Sequence, residues 1–357
     1  MMNAMLMSPA VAVNVDLPSL DEVRKRIPAS CYRRSMRHGL RLVVIDAVVY
    51  TGLIWLAIRS DNRIVGLALS VIAGIAVSAM FVIGHDAAHE ALLPSDRLNR
   101  FVALVFLLPS LHVRDGWVFG HNRVHHGFTV KRGMDFVWHP VTPEEYALMS
   151  RSRRLLHRLE WSWAGAGVYY LRNVWWKKMI LFTPPTRSAP GVPRDRRIVL
   201  GYFVASSAGS FALGWNQHAT VLSALWMWAR IVVLPFLVFS WIIGATVHIH
   251  HVQPDLHWYE GKNWTRSKAQ LIGTTVMRAP WLIDVALHHI FVHVPHHVDA
   301  RIPCYELSNA AKAIDSAYPG IVQERPFHFR DYIRATRACK LFDFETSRWV
   351  RVDGLVR

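Results

Sequence analysis

The sequence predicts an all-α integral membrane protein with four transmembrane helices. Of the 357 residues, 52% are hydrophobic, and they cluster in runs that approach the ~20 residues a helix needs to span a bilayer. Three clusters of histidines also occur, each where an apolar run meets a basic segment. A large soluble α-helical protein is the alternative, but soluble helices rarely run this far without a polar face.

Four apolar runs are expected to cross the membrane. They cover about residues 42–58, 64–84, 198–215 and 221–247. Asp46 interrupts the first run and Arg230 the fourth. Because a charged side chain that faces lipid is costly, we expect Asp46 to face the bundle interior and Arg230 to lie near an interior cavity or a helix end.

The region between the second and third runs is expected at the membrane surface. Residues 101–112 are apolar but too short to cross, which predicts a re-entrant or surface segment. Residues 155–182 mix Trp with Arg and Lys, which is typical of a helix in the headgroup layer. The Pro- and Arg-rich residues 183–197 predict a cytoplasmic linker.

The formal net charge of +16 indicates the orientation of the chain. The basic segments 20–41, 85–197 and 248–357 fall on one side of the predicted membrane, and the positive-inside rule places that side in the cytoplasm. The charge also favours anionic lipid headgroups and acidic protein partners, whereas the apolar spans argue against nucleic acid. We divide the chain into a cytoplasmic N-terminal segment (1–41), a membrane domain (42–320) and a cytoplasmic C-terminal tail (321–357).

The spacing of the histidines predicts a metal centre. His85 and His89 are four residues apart, as are His121 and His125, so on a helix each pair presents both rings on one face. His126 is rotated by about 100° and is within reach of a second ion. Imidazole ligates Zn, Cu, Fe and Ni, and eight rings from three places suffice for two ions. The candidate ligands are His85, His89, His121, His125, His126, His293, His296 and His297. Histidines that merely cap polar helix ends are the alternative.

A ninth ligand is expected at the end of the fourth run. His248, His250 and His251 are the choices, and we favour His248 as the nearest to the end of the span. Asp86 and Asp135 are candidates for orienting the ligands, because a ligating imidazole usually donates its other N–H to a carboxylate. An ordinary solvated charge is the alternative for each. Histidines without a spacing partner are expected at the surface, namely His38, His112, His139, His157, His218 and His328.

The three histidine clusters resemble those of the membrane fatty acid desaturase and hydroxylase superfamily. The matching motifs are Gly84-His-Asp-Ala-Ala-His89, Gly120-His-Asn-Arg-Val-His-His126 and His293-Val-Pro-His-His297. Residues 127–138 and 140–146 are similar to bacterial omega-6-type (delta-12-like) acyl desaturases, and residues 248–258 resemble the extra histidine region of that branch.

The resemblance implies four transmembrane helices beneath a cytoplasmic helical cap, with a histidine-rich diiron site in the cap that faces the cytoplasm from the bacterial inner membrane. It implies two iron ions, molecular oxygen as co-substrate, and an external electron donor. That donor is a ferredoxin or a cytochrome b5-like protein, because the chain has no His-Pro-Gly-Gly cytochrome signature. The expected function is O2-dependent desaturation of a fatty acyl chain linked to a lipid, to CoA or to acyl carrier protein. Hydroxylase, acetylenase and ketolase activities of the same superfamily are alternatives.

A saturated acyl chain has few polar atoms for a protein to bind, so the bond position must be set by the length and bend of an apolar tunnel. Trp117 and Trp138 flank the second cluster and are candidate tunnel residues, with ordinary aromatic packing as the alternative. No catalytic side chain beyond the metal ligands is expected. A His-rich metal transporter is a remote alternative, since it needs ligands near the bilayer midplane and these histidines follow the spans instead.

Overall fold

The computed structural model describes residues 17–185 and 187–355 and is mostly α-helical. The α-helices are α1 (Leu20–Arg26), α2 (Met36–Arg59), α3 (Arg63–Ala88), α4 (Asp96–Phe106), α5 (Arg114–Trp117), α6 (His126–Phe128), α7 (Pro143–Ala147), α8 (Arg151–Glu160), α9 (Ala166–Tyr169), α10 (Val192–His218), α11 (Val221–Trp228), α12 (Leu234–His251), α13 (Trp281–Ala286), α14 (His293–Val298), α15 (Leu307–Ala317) and α16 (Phe329–Ala338). Segments of π-helix occupy Val118–His125, Tyr170–Leu181, Ala229–Val233 and Lys268–Ile272. The short strands are β1 (Val276–Arg278), β2 (Glu324–Pro326), β3 (Leu341–Asp343) and β4 (Arg348–Val350).

Four helices in the described chain are long and apolar enough to cross a membrane. They are Met36–Arg59, Arg63–Ala88, Val192–His218 and Val221–His251, the last of which joins α11, a π-helical turn and α12. Each contains one of the four predicted spans, so the predicted all-α fold with four spanning helices is confirmed. The helices are longer than the apolar runs because polar residues at their ends, including His85 and His248, are also helical.

Side-chain caps fix where these helices begin. Ser35 Oγ accepts the backbone N–H of His38 at the start of α2, and Asn62 Oδ1 accepts the backbone N–H of Ile64 at the start of α3. Such caps satisfy N–H groups that have no partner within the helix. The short turn that Asn62 ends therefore joins two long antiparallel helices.

Helices α3 and α12 are the inner pair of the four spans. A Cβ atom at Gly74 of α3 would lie 2.5 Å from Val238 Cβ and 2.9 Å from the Pro235 carbonyl oxygen of α12. The outer helices α2 and α10 instead expose large apolar side chains, such as Val48 (63%) and Leu200 (62%), on faces suited to lipid. The close crossing of α3 and α12 brings their histidine-bearing ends together.

Two charged residues in the spans are buried, as predicted. The distance between Oδ2 of Asp46 in α2 and Nε2 of His288 is 2.7 Å. Arg230 donates to the Ser60 carbonyl oxygen at 2.9 Å, at the end of the bundle remote from the histidines. The Asp46 contact ties the first span to the loop just before α14.

The segments between the second and third spans pack more deeply than expected. Helix α4 is short and packs on α3 through Val102 and Phe106, in keeping with a segment that does not cross. The single headgroup-layer helix predicted over 155–182 is wrong, because α8 ends at Glu160 and α9 packs tightly on α12. Glycine permits this approach, since a Cβ at Gly167 would lie 3.1 Å from the Trp241 backbone.

The C-terminal residues pack onto the segments that lie outside the four spans, which we call the cap. Strand β2 pairs in parallel with β1, β3 pairs antiparallel with β4, and Phe342 is fully buried. The domain boundaries at residues 41 and 320 stay predictions. Residues 1–16 and 356–357 of the two terminal segments lie outside the described residues.

Candidate metal centre

Within the described residues, nine histidines converge in two groups at the ends of α3 and α12. The first group contains His85, His89, His121, His126 and His296, and the second contains His125, His251, His293 and His297. Within each group the candidate ligand nitrogens all lie within 4.8 Å of one another. All eight histidines of the three sequence clusters are therefore brought together.

The second cluster lies in a π-helix, which changes how its rings are shared. We expected His121 and His125 to face one ion and His126 another. The backbone N–H of His126 instead bonds to the His121 carbonyl, the i→i+5 pattern of a π-helix. His121 and His126 therefore share the first group, with their Nε2 atoms 3.2 Å apart, while His125 enters the second.

The first and third clusters follow ordinary helical spacing. His85 Nε2 lies 2.8 Å from His121 Nε2, which joins the end of α3 to the π-helix. His293 and His297 are one turn apart in α14, and their Nε2 atoms are 3.0 Å apart in the second group. His296, rotated away from them, enters the first group, so α14 bridges the two groups.

Hydrogen bonds at Nδ1 orient three rings of the second group. Asp135, one of the two carboxylates considered for orienting a ligand, has Oδ1 3.0 Å from His125 Nδ1. The Gln270 side-chain oxygen lies 2.7 Å from His297 Nδ1, and the Gly273 carbonyl oxygen lies 3.1 Å from His251 Nδ1. Each contact fixes the proton on Nδ1 and leaves the Nε2 lone pair directed into the group.

Asp135 is itself held rigidly. Its two carboxylate oxygens accept the backbone N–H groups of Val130 and Val137 at 2.9 and 3.0 Å. Asp86 differs from its predicted role, because its carboxylate accepts the backbone N–H of Cys304 at 3.2 Å. In the described chain we therefore place Asp86 as a support for the loop after α14, and not as a partner of a ligand ring.

The ninth member of the groups is His251, not the favoured His248. His248 lies outside both groups and packs edge-on against Trp138, with ring centroids 4.6 Å apart. His250 stacks on His293 at 3.9 Å without joining a group. Residues i and i+3 of a helix share a face, so spacing alone did not separate His248 from His251.

Burial favours the neutral form of several convergent rings. It lowers the pKa of five rings outside the spans well below the ordinary 6.5, and repulsion by neighbouring histidines lowers it further. This holds for His121, His126, His293, His296 and His297. Neutral imidazoles carry a lone pair, which is the form that binds metal.

The donor set fits two metal ions. Nε2 of His89, His251 and His296 is buried without a hydrogen-bond partner anywhere in the described chain. Leaving such an atom unpaired costs free energy, and a metal ion at the centre of each group would satisfy all three. A hydrogen bond between His85 and His121 cannot satisfy all five rings of the first group, because one shared proton joins only two nitrogen atoms.

A small apolar cavity of about 40 Å³ is lined by histidines of both groups. Its walls include His85 and His121 of the first group and His125 of the second. Both predicted tunnel residues line it, with Trp117 stacked on His121 at 4.6 Å and Trp138 held by a 3.0 Å hydrogen bond to the Gly244 carbonyl. The tunnel function of these two residues stays a prediction.

Sequence reasoning misplaced two further histidines. His112 is buried, with Nε2 2.8 Å from the Tyr170 hydroxyl, and His157 is buried, with Nε2 3.0 Å from the Lys340 carbonyl. The surface prediction is wrong for both because distant segments cover them. It is confirmed for His38, His218 and His328, which are exposed, while His139 is half-buried.

Comparison with known proteins agrees with this geometry. A family model described as "Fatty acid desaturase" matches residues 62–327, which is most of the chain. An sn-1 oleoyl-lipid 12-desaturase of Anabaena variabilis is 26% identical over 300 residues, covering 83% of this chain and 81% of the relative.

Two further relatives have similar coverage. An sn-1 acyl-lipid omega-3 desaturase (ferredoxin) of Synechocystis sp. is 28% identical over 308 residues, covering 84% of this chain and 81% of the relative. A chloroplastic omega-6 fatty acid desaturase of Arabidopsis thaliana is 25% identical over 340 residues, covering 94% and 72%. The resemblance seen in the histidine motifs is thus confirmed, and the chain belongs to the fatty acid desaturase family of oxidoreductases.

Proposed function

We propose that this protein introduces a carbon–carbon double bond into the acyl chain of a membrane lipid, using two irons, molecular oxygen and an external electron donor. The observation that carries the proposal is the pair of histidine groups that both contribute rings to the wall of one apolar cavity. The relatives named as acyl-lipid desaturases support a lipid-linked chain over one linked to CoA or acyl carrier protein.

Desaturation reduces one oxygen molecule for each double bond that forms. Two hydrogens leave adjacent methylene carbons, two electrons come from the donor and two protons from solvent, and molecular oxygen becomes two waters. Iron bound by the nine histidines would supply the oxidising power for breaking an unactivated C–H bond. The protein's own part is to position the chain and to exclude water.

Positioning is the task of the apolar cavity walls. Trp117 and Trp138 are buried and fixed, one by stacking on His121 and the other by its hydrogen bond to Gly244. Rigid aromatic walls restrict which methylenes come near the histidine nitrogens, so the length and bend of the cavity would set the bond position. The apolar walls would also keep water from the reacting carbons.

We infer that the centre faces the cytoplasm from the bacterial inner membrane. The positive-inside rule supports this, because the long basic segments and all nine histidines lie at one end of the four spans. Labelling of single cysteines placed at Lys25 and at Gln217, at the two ends of the bundle, tests it in right-side-out vesicles. A membrane-impermeant reagent that labels position 25 but not 217 would contradict the orientation.

The function is tested with purified protein and with a bacterial host. The purified chain is expected to hold about two irons and to yield unsaturated acyl products with oxygen and a reductant. His125→Ala is expected to lose both iron and product, and lipid profiling of hosts expressing the chain or His296→Ala gives the same comparison in cells. Desaturation by either variant at the wild-type rate would contradict the proposal.

Mass spectrometry of the product separates the related reactions. A loss of two hydrogens indicates desaturation, whereas a hydroxyl, a keto group or a triple bond would assign the protein to a sister activity of its family.

Metal transport is tested by measuring metal flux in vesicles. It is disfavoured because the two groups lie at the ends of α3 and α12 and not at their midpoints.

A further inference from the structure

A second opening reaches the histidines from a side remote from the apolar cavity. This basic cleft, of about 620 Å³, lies between α1, the end of α3 and the loop after α14. Its lining residues are Arg24, Lys25, Tyr32, Arg34, His89, Glu90, Asp96 and Arg301. His89 lines this cleft, whereas the first-group histidines that line the apolar cavity are His85 and His121.

His89 is the point where the basic cleft meets the first histidine group. Its side chain is partly exposed, while all four histidines of the second group are buried. Its Nε2 nevertheless is buried, within 4.8 Å of the other candidate ligand nitrogens of its group. A molecule seated in the cleft would therefore contact a proposed iron ligand without entering the acyl site.

The charge of the cleft selects an anionic partner. Both of its carboxylates are already paired, Asp96 with Arg34 and Glu90 with Arg100, each at 3.0 Å. Lys25 is exposed, and the Arg301 side chain is 76% exposed although it also pairs with Asp299. The cations of the rim thus outnumber the carboxylates, and a positive rim attracts and orients an acidic protein.

We propose that the basic cleft is the docking surface for an acidic iron–sulfur electron donor, whose electrons enter the centre through His89. This rests on the proposed function, which needs two electrons from outside for each double bond. Two one-electron carriers are oxidised in turn, and their electrons join the two taken from the acyl chain in reducing oxygen to water. The ferredoxin named for a relative has this chemistry.

The separation of the two openings supports this assignment. An apolar acyl chain gains nothing from a cleft walled by arginine and lysine, and a charged protein surface gains nothing from the apolar cavity. Donor and substrate can therefore be bound at the same time. A second basic cleft, lined by Arg153, Lys177 and Lys178, reaches Asp135 but none of the nine histidines, so it is the competing surface.

Charge reversal at the two clefts tests the proposal. Lys25→Glu and Lys177→Glu change the net charge equally, and both side chains are exposed. With reduced plant-type ferredoxin as donor, Lys25→Glu is expected to raise KM for ferredoxin roughly tenfold and to flatten its salt dependence. Arg301→Gln should act in the same direction, and Lys177→Glu should match the wild type.

Two readouts keep the proposal separate from the function it rests on. Turnover driven by reduced methyl viologen, a small mediator, should be the same in Lys25→Glu and wild type. Ferredoxin binding to the purified protein, measured without acyl substrate, should weaken only at the basic cleft, and this result would stand even if no unsaturated product formed. Weaker binding in Lys177→Glu with unchanged binding in Lys25→Glu would overturn the proposal.

Discussion

At the residue scale, one helical turn of α12 separates a proposed ligand from a packing residue. His251 directs Nε2 into the second group because Nδ1 faces the Gly273 carbonyl, whereas His248 packs against Trp138. We predict that His251→Ala loses at least one of the two irons and most desaturation. His248→Ala should keep its iron and lose thermal stability only. Metal analysis of both variants measures this, and iron loss confined to His248→Ala would refute our choice of ligand.

A second residue-scale prediction concerns Asp135. Its carboxylate holds the His125 ring through Nδ1, so Asp135→Asn weakens the acceptor that fixes the ring and its tautomer. We expect iron affinity to fall roughly 10–100-fold. Asp86→Asn is the matched control, since Asp86 is equally buried but accepts from the Cys304 backbone. Iron titration of the two apo variants gives the comparison, and equal affinities would show that Asp135 does not orient a ligand.

The sequence could predict some of these residues and not others. The eight clustered histidines were predictable because their spacing repeats within a few residues, and Asp135 because it follows His125 closely. Gln270 carries no such signal, although its side-chain oxygen lies 2.7 Å from His297 Nδ1. It reaches that ring only through the fold, which no local pattern encodes.

At the element scale, the π-helix Val118–His125 determines how the rings are divided. In an α-helix, His121 and His125 would lie on the same face. The wider turn of the π-helix instead places His121 beside His126 in the first group and His125 in the second group. Sequence patterns assume 3.6 residues per turn, so this division could not be predicted. The π-helix therefore lets one short segment contribute histidines to both groups.

The crossing of α3 and α12 gives an element-scale prediction. A methyl group at Gly74 would lie 2.5 Å from Val238 Cβ, so Gly74→Ala should force the helices apart and cost about 1–3 kcal/mol. Because these helices carry His85 and His251, iron content should fall as well. Gly201→Ala on α10 is the control, since its methyl group would meet nothing within 4 Å. Thermal unfolding in detergent measures both, and equal melting temperatures would contradict the packing argument.

The turn before α14 gives a pH prediction. His288 and His289 both adopt positive φ (48° and 59°), a costly conformation for non-glycine residues. The hydrogen bond to Asp284 raises the pKa of His289 above 6.5, so the folded state holds this proton more tightly than the unfolded state does. The resulting stability is complete below pH 6.5 and is lost as the pH rises through the raised pKa.

Thermal unfolding between pH 6 and pH 9 tests this linkage. The difference in melting temperature between the wild type and Asp284→Asn should be largest at pH 6 and should shrink toward pH 9, because only the wild type loses the His289 contribution as the pH rises. An Asp284→Asn variant with the wild-type pH profile would show that the pair does not stabilise the turn. Iron content measured alongside shows whether the turn also positions the α14 histidines.

At the scale of the whole molecule, the apolar runs fixed the number and order of the spans, because a bilayer demands long apolar helices. The packing of residues 321–355 onto the cap was not predictable, since strand β2 pairs with β1 some 48 positions earlier, Val276 with Glu324. The same long-range packing buries the histidine groups. Burying so many rings costs less when the imidazoles are neutral and their lone pairs have a partner.

Metal removal should therefore weaken the entire fold. Binding to the native state alone stabilises it by mass action, so chelation should lower the melting temperature by about 5 °C or more. The apo protein should then lose further stability as the pH falls through 6.5. Burial lowers the pKa of these rings in the folded state, so the unfolded state binds more protons in this range. Calorimetry of the iron-loaded and chelated forms between pH 5.5 and 7.5 measures both effects. Iron that is restored to the chelated protein should reverse them, and an apo form as stable as the loaded one at pH 5.5 would mean that the nine rings are held together by packing alone.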